Sequence, residues 1–217
     1  MKLRERFLPP GRTLRRLQGA VGVVALVGYF GPWIGHEAAA LAWNAYDLFH
    51  IARLLPSVES GQVMANPQAL RLPLLGLAVL APLLLRRAPL WQRGAAALLG
   101  AALAFSTLPP YPQILDAWRT SGWRVPFWWS IGTVGGVGLV ALLGPRLALW
   151  GPWLIVAWTA LTGLPAFATF DRLRPLIRAL RAAPVRTGWG IWVCGGGLAF
   201  LALAAWLEGV RRPEEGA

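Results

Sequence analysis

His36, Glu37, Asp47 and His50 carry most of the ligand-type chemistry of this 217-residue chain, because both of its histidines fall within this one segment. The run His36-Glu37-Ala38-Ala39-Ala40 opens like the HExxH of a zinc protease. Position 40 is alanine, however, so the second ligand at i+4 is missing. Residues 36–55, HEAAALAWNAYDLFHIARLL, are rich in Ala and Leu and end at Pro56, which predicts one helix. On its wheel His36, Glu37, Asn44, Asp47 and His50 share one arc, and Leu41, Ala45, Leu48, Phe49 and Ala52 lie opposite. His36 and His50 would then stand about 21 Å apart, too far to share an ion without a sharp bend. Asp47 and His50, at i and i+3, are close enough to bind together or to form a local polar pair on a wet face. Glu59 and Asp116 add carboxylates from nearby loops. His36, Glu37, Asp47, His50, Glu59 and Asp116 are therefore the candidate ligand or metal residues, without a firm metal set. No cofactor is expected.

Several chemistries are excluded. A single cysteine, Cys194, forms no internal disulfide and no redox pair. Lys2 is the only lysine, so there is no Walker A motif. A bis-histidine haem needs ligands from facing helices, and both histidines lie on one segment. No apolar stretch carries a serine with a histidine on another stretch, as an intramembrane serine protease would need.

The elements that must position these residues are apolar. The chain is 56% hydrophobic and 14% charged, with a mean hydropathy of +0.52. That composition predicts an all-α integral membrane protein. Six stretches approach the length of a spanning helix: 17–34, 70–85, 94–108, 127–143, 147–167 and 189–207. Their apolar cores hold no Asp, Glu, Lys, Arg or His, which leaves proton-coupled transport without an intramembrane titratable group. The whole chain reads as one polytopic domain. Segment 35–71 forms an extracytoplasmic amphipathic helix and loop. The stretches 70–108 and 127–167 also read as a tandem pair of helical hairpins, each leaving through Leu-Pro (Leu108-Pro109 and Leu164-Pro165) toward an Asp and an Arg.

The net charge is +12, nearly all of it from arginine. The arginines fall between apolar stretches, so anionic lipid headgroups are the expected counter-charge, and nucleic acid is not an expected partner. Arginines crowd the N-terminus before the first span. This places both termini in the cytoplasm of a bacterial inner membrane, with the outer side also carrying many arginines. A cleaved signal peptide is the minority alternative for the first span. Segment 171–186 reads as a basic interfacial helix whose Arg174, Arg178 and Arg181 meet lipid headgroups.

Small residues mark where helices can approach closely: Gly31, Gly35, Gly100, Gly132, Gly136 and Gly196. Three functions follow. The first is a non-enzymatic accessory or scaffold subunit that packs against partner subunits or a second copy. The second is an outer-face enzyme or ligand site on residues 36–59. The third is a permease-like component for an apolar or lipid-like substrate.

Overall fold

The computed structural model describes residues 11–35, 42–109, 111–181 and 186–211. Its long helices are α1 (Gly11–Phe30), α4 (Leu72–Leu84), α5 (Leu90–Phe105), α6 (Ser121–Leu143), α7 (Gly151–Arg181) and α8 (Trp189–Arg211). Two short helices, α2 (Ala45–Ala52) and α3 (Pro56–Glu59), fill the first long connection. A two-residue strand β1 (Ile34–Gly35) pairs antiparallel with β2 (Arg186–Thr187).

Four segments are long and apolar enough to cross a bilayer: Pro67–Leu84, which joins a 3-10 turn to α4, then Ser121–Leu143, Gly151–Leu180 and Trp189–Arg211. The chain is a membrane protein on this ground. Helix α5 covers 16 residues and α1 begins among arginines, so neither meets the same criterion.

Close backbone approach decides how α1 and α8 pack. A Cβ on Gly28 would collide with the Cys194 backbone, and one on Gly197 would lie 2.8 Å from the Ala25 Cβ. Small residues at these crossings let the two helices run antiparallel in direct contact. Helix α4 is the most buried span and packs against α1, α5, α6 and α7. Gly100 of α5 meets the Ala78 carbonyl of α4, and Gly76 of α4 meets the Thr162 side chain of α7. Gly31 sits under the Trp189 ring, and Gly35 lies in β1.

The expected tandem repeat is not reproduced in the packing. Helices α4 and α5 form a tight hairpin. Helix α6 instead packs on α5 and α4, and α7 on α4 and α8, so α6 and α7 stand apart around α4. The reason lies at their junction, where Gly144 closes on Arg93 of α5, Gly151 closes on Arg86 of the α4–α5 turn, and a 3-10 turn at Arg146–Ala148 carries the chain across.

Two further expectations are corrected. The single helix over 36–55 is not formed. Trp43 bridges to Ile34 instead, and Asn44 is extended and caps α2. Its side chain accepts from the Asp47 amide at 2.9 Å, and Asp47 Oδ2 accepts from the Asn44 amide at 3.3 Å. This capping box starts the helix at Ala45. The separate basic helix over 171–186 is also absent, because α7 runs on without a break to Arg181. Phe170, Leu173 and Ile177 are buried at helical spacing, so the core stripe of the span continues into the basic segment and holds it in register. At 31 residues α7 is about 46 Å long, well beyond the roughly 30 Å hydrocarbon core.

Contacts define two ends of the bundle. At one end β1 pairs with β2, and Trp33 stacks on Phe167 with ring centroids 5.6 Å apart. At the other, Gln18, Arg86 and Glu208 meet.

Candidate functional site

At the first end, α2 lies over the bundle with Ala45, Leu48, Phe49 and Ala52 buried beneath it. Its exposed side presents Asp47 and His50, and Asp47 is engaged in the capping box just described. Among the described residues the hydrogen bonds of Asp47 go to Asn44 and not to His50. The His50 ring lies instead among aromatic rings, with Tyr46 at 4.7 Å, Phe49 at 4.8 Å and Trp123 at 5.9 Å between centroids. Burial pushes the His50 imidazole below its ordinary pKa, and the charges of Arg71 and Arg53 push it the same way against the opposing pull of Asp47. Arg53 ties this helix to the start of α6. Its Nη2 donates to the Gly122 carbonyl at 2.7 Å, and its guanidinium lies 4.2 Å from the Trp123 ring centroid.

Below α2, Arg71 is 2% exposed, with its guanidinium 4.6 Å from the Phe49 ring centroid. Its Nε and Nη2, and the hydroxyl of fully buried Tyr29, have no hydrogen-bond partner among the described residues. Neither Arg71 nor Tyr29 stands out in the sequence reading, because an arginine at the edge of a span looks like a headgroup anchor. Glu59 and Asp116 are exposed, on α3 and on the α5–α6 connection. The Asp116 backbone carbonyl accepts from Arg119, Thr120 and the Thr120 hydroxyl. His36 and Glu37 lie outside the described residues. Among the described residues no three His, Cys, Asp or Glu side chains group as metal ligands.

The opposite end holds a polar cluster that the sequence reading passed over. Arg86, just past α4, donates from Nη2 to both carboxylate oxygens of Glu208, each at 2.8 Å, and from Nη1 to the Leu83 carbonyl at 3.2 Å. Gln18 of α1 donates to the same carboxylate at 3.2 Å. One carboxylate thus joins α1, the α4–α5 turn and α8. Each of the two charges sits one residue beyond an apolar stretch on the same side, which is the signal that could have found the pair. Nearby, Arg93 donates to the Ala141 carbonyl at 2.6 Å and fastens α5 to α6.

Between the two ends the bundle surface carries two apolar grooves. The first, about 630 Å³, lies where α6 and α7 diverge around α4. Gly132 and Gly136 form part of its α6 wall, and a Cβ on either would meet nothing within 4 Å. Gly135 and Gly138 are equally open. Trp128, Trp129 and Trp158 rim the groove, and Trp158 Nε1 is a buried donor without an acceptor among the described residues. No charged side chain lines it. The second groove, about 880 Å³, runs between α7 and α8, with Gly196 open to it and Asp171 and Arg174 at its end. Arg178 lies exposed one turn further along α7, and the backbone of Arg181 ends that helix.

Comparison of the chain with protein-family models, with curated proteins and with solved structures finds no match to any of them.

Proposed function

We propose that this membrane protein is a non-enzymatic accessory or scaffold subunit, and that it docks a transmembrane helix of a partner subunit or of a second copy into the groove between α4, α6 and α7. The observation that carries the reading is the open glycine face of α6. Gly132 and Gly136 are spaced one turn apart, and a Cβ on either would meet nothing within 4 Å among the described residues. Small residues spaced in this way let a second backbone come close enough for dispersion and Cα–H contacts to hold two helices together in lipid. Helix α6 is also the least buried of the four apolar spans.

In this reading α1 and α5 cross the membrane as well, which makes six spans. The arginine-rich N-terminus and the Arg86–Glu208 end face the cytoplasm of a bacterial inner membrane. The helix α2 and the arginines of α7 then face outward.

The experiment is affinity purification of the full chain from native membranes in mild detergent, with co-purifying proteins identified by mass spectrometry and sized by light scattering. A stoichiometric protein partner or a defined oligomer, lost in Gly132→Leu/Gly136→Leu, supports the reading. A monomer without a stoichiometric protein partner, unchanged by the double variant, overturns it.

One observation favours a second reading, a ligand site on the outer face. Arg71 and Tyr29 bury unanswered polar atoms beneath the helix that carries Asp47 and His50. Buried donors without acceptors are costly and suit an anionic ligand. Asp47, His50, Glu59 and Asp116 are the described candidate residues for such a site. Melting temperatures of the wild type and of Arg71→Gln, with phosphate added, test it. A shift absent from Arg71→Gln supports the site, and no shift at millimolar ligand counts against it.

A further inference from the structure

The groove between α7 and α8 differs from the first in one respect: it is apolar along its length and charged at one end. Its floor on α8 is made of small side chains, Gly195, Gly196, Ala199 and Ala202. Gly196 has nothing within 4 Å of where a Cβ would sit, whereas a Cβ on Gly195 would lie 3.1 Å from the Phe167 ring. The track is therefore a narrow furrow, with the Phe167 and Trp192 rings among its lining.

At the outward end stand Arg174 and Asp171. Arg174 is half-buried, its Nε has no hydrogen-bond partner, and it forms no ion pair among the described residues. Asp171, exposed and three residues earlier, does not neutralise it. The surrounding segment 171–186 contains five arginines and this one aspartate, so the groove opens into a positive field. From Arg174 to Val156, which marks the deep end, α7 rises about 27 Å. One leaflet with its headgroups is roughly 20 Å thick, so the furrow accommodates a headgroup and its acyl chain together.

We infer that this groove is a binding site for an anionic phospholipid, with its phosphate on Arg174 and one acyl chain laid along Gly196, Ala199 and Ala202. The positive end selects the headgroup, because the Arg174 guanidinium, which is in no ion pair among the described residues, offers phosphate a charge-assisted hydrogen bond in a partly dry setting. The small-residue floor takes the chain, because no side chain competes for that volume. The site is independent of the α6 face and uses none of its residues.

The test uses the full chain purified in mild detergent and exchanged into phosphatidylglycerol or phosphatidylcholine, with retained lipid counted by native mass spectrometry. A phosphatidylglycerol carrying a photoreactive acyl chain maps the contact. The expected result is one phosphatidylglycerol retained per chain, labelling at the α8 track, and weaker retention of phosphatidylcholine. Arg174→Gln should lower phosphatidylglycerol retention about tenfold, the loss of one charge-assisted hydrogen bond. Gly196→Leu fills open space rather than displacing a neighbour, so it should keep the melting temperature while abolishing acyl labelling. Equal retention of both lipids would overturn the proposal. So would an Arg174→Gln variant that binds like wild type, or labelling that persists on α8 in Gly196→Leu.

Discussion

Glu208 in the last turn of α8 receives Arg86 through both carboxylate oxygens, each at 2.8 Å, in a setting where the arginine side chain is fully buried and the glutamate 9% exposed. Gln18 adds a third helix to the same carboxylate. Two charges next to apolar spans are held here because each answers the other, and one group links α1, the end of α4 and α8. Removing one partner of a buried pair leaves the other charge uncompensated, which typically costs about 3–5 kcal/mol. Glu208→Ala should therefore lower the melting temperature in detergent sharply. The double variant Arg86→Met/Glu208→Leu should recover most of that loss, since an apolar pair of similar size leaves no orphaned charge. Recovery absent from the double variant would mean that the pair matters beyond its own charges.

The glycines divide into two groups with opposite expectations. A side chain at Gly28 runs into the Cys194 backbone, so Gly28→Leu must push α1 from α8. Overpacking of this kind costs about 1–3 kcal/mol or more. Gly136→Leu enters open space and should leave the stability of the isolated chain within about 0.5 kcal/mol of wild type. Thermal unfolding of both variants in one detergent checks the contrast. Equal destabilisation would mean that α6 is already packed.

His50 gives the α2 end of the bundle a pH dependence. Its folded pKa is depressed, first by burial and then by Arg71 and Arg53, with Asp47 opposing. The neutral imidazole is therefore the form that the fold favours. The stability this contributes is full above the unfolded pKa of about 6.5. It is lost as pH falls through the lower folded value, because the unfolded chain then binds the extra proton. Melting between pH 7.5 and pH 5 should show a loss in wild type that shrinks in His50→Phe. A loss of the same size in both would place the titration elsewhere.

Arg53 fastens α2 to α6 by a hydrogen bond to Gly122 and by its place over Trp123. Both contacts are partly open to water, so Arg53→Ala should cost only about 1 kcal/mol. The loss should be local. Amide hydrogen exchange of Ala45–Ala52 should quicken while α8 stays protected. Uniform quickening across the bundle would contradict the local role.

Much of the helical plan was legible because it rests on apolar run length, which sets the start of α8 and the end of α6. What the sequence reading missed came from single residues whose role depends on neighbours far along the chain. Asn44 reads as one polar residue on a helical face, yet with Asp47 three residues on it forms a capping box that begins α2 anew. The Leu-Pro exits suggested paired hairpins, but pairing is decided by the glycines that let α4 and α5 close on each other at Gly100 and Ala78. Arg71 and Arg86 both flank apolar runs and look alike in sequence. One is buried against an aromatic ring and the other against a carboxylate contributed 122 residues later. The candidate residues Asp47 and His50 were visible from their types, but their surroundings of cap and aromatic rings were not.

The subunit reading rests on whether another protein occupies the α6 face in the membrane. The most direct measurement places a photo-crosslinking amino acid at Gly136, irradiates intact native membranes, and sizes the adduct. The expected result is a single protein adduct, a second copy or one defined partner, that disappears when Gly132→Leu is added. Adducts with lipid alone would contradict it, and so would a protein adduct equally strong when the crosslinker stands at the exposed Leu98 of α5 instead.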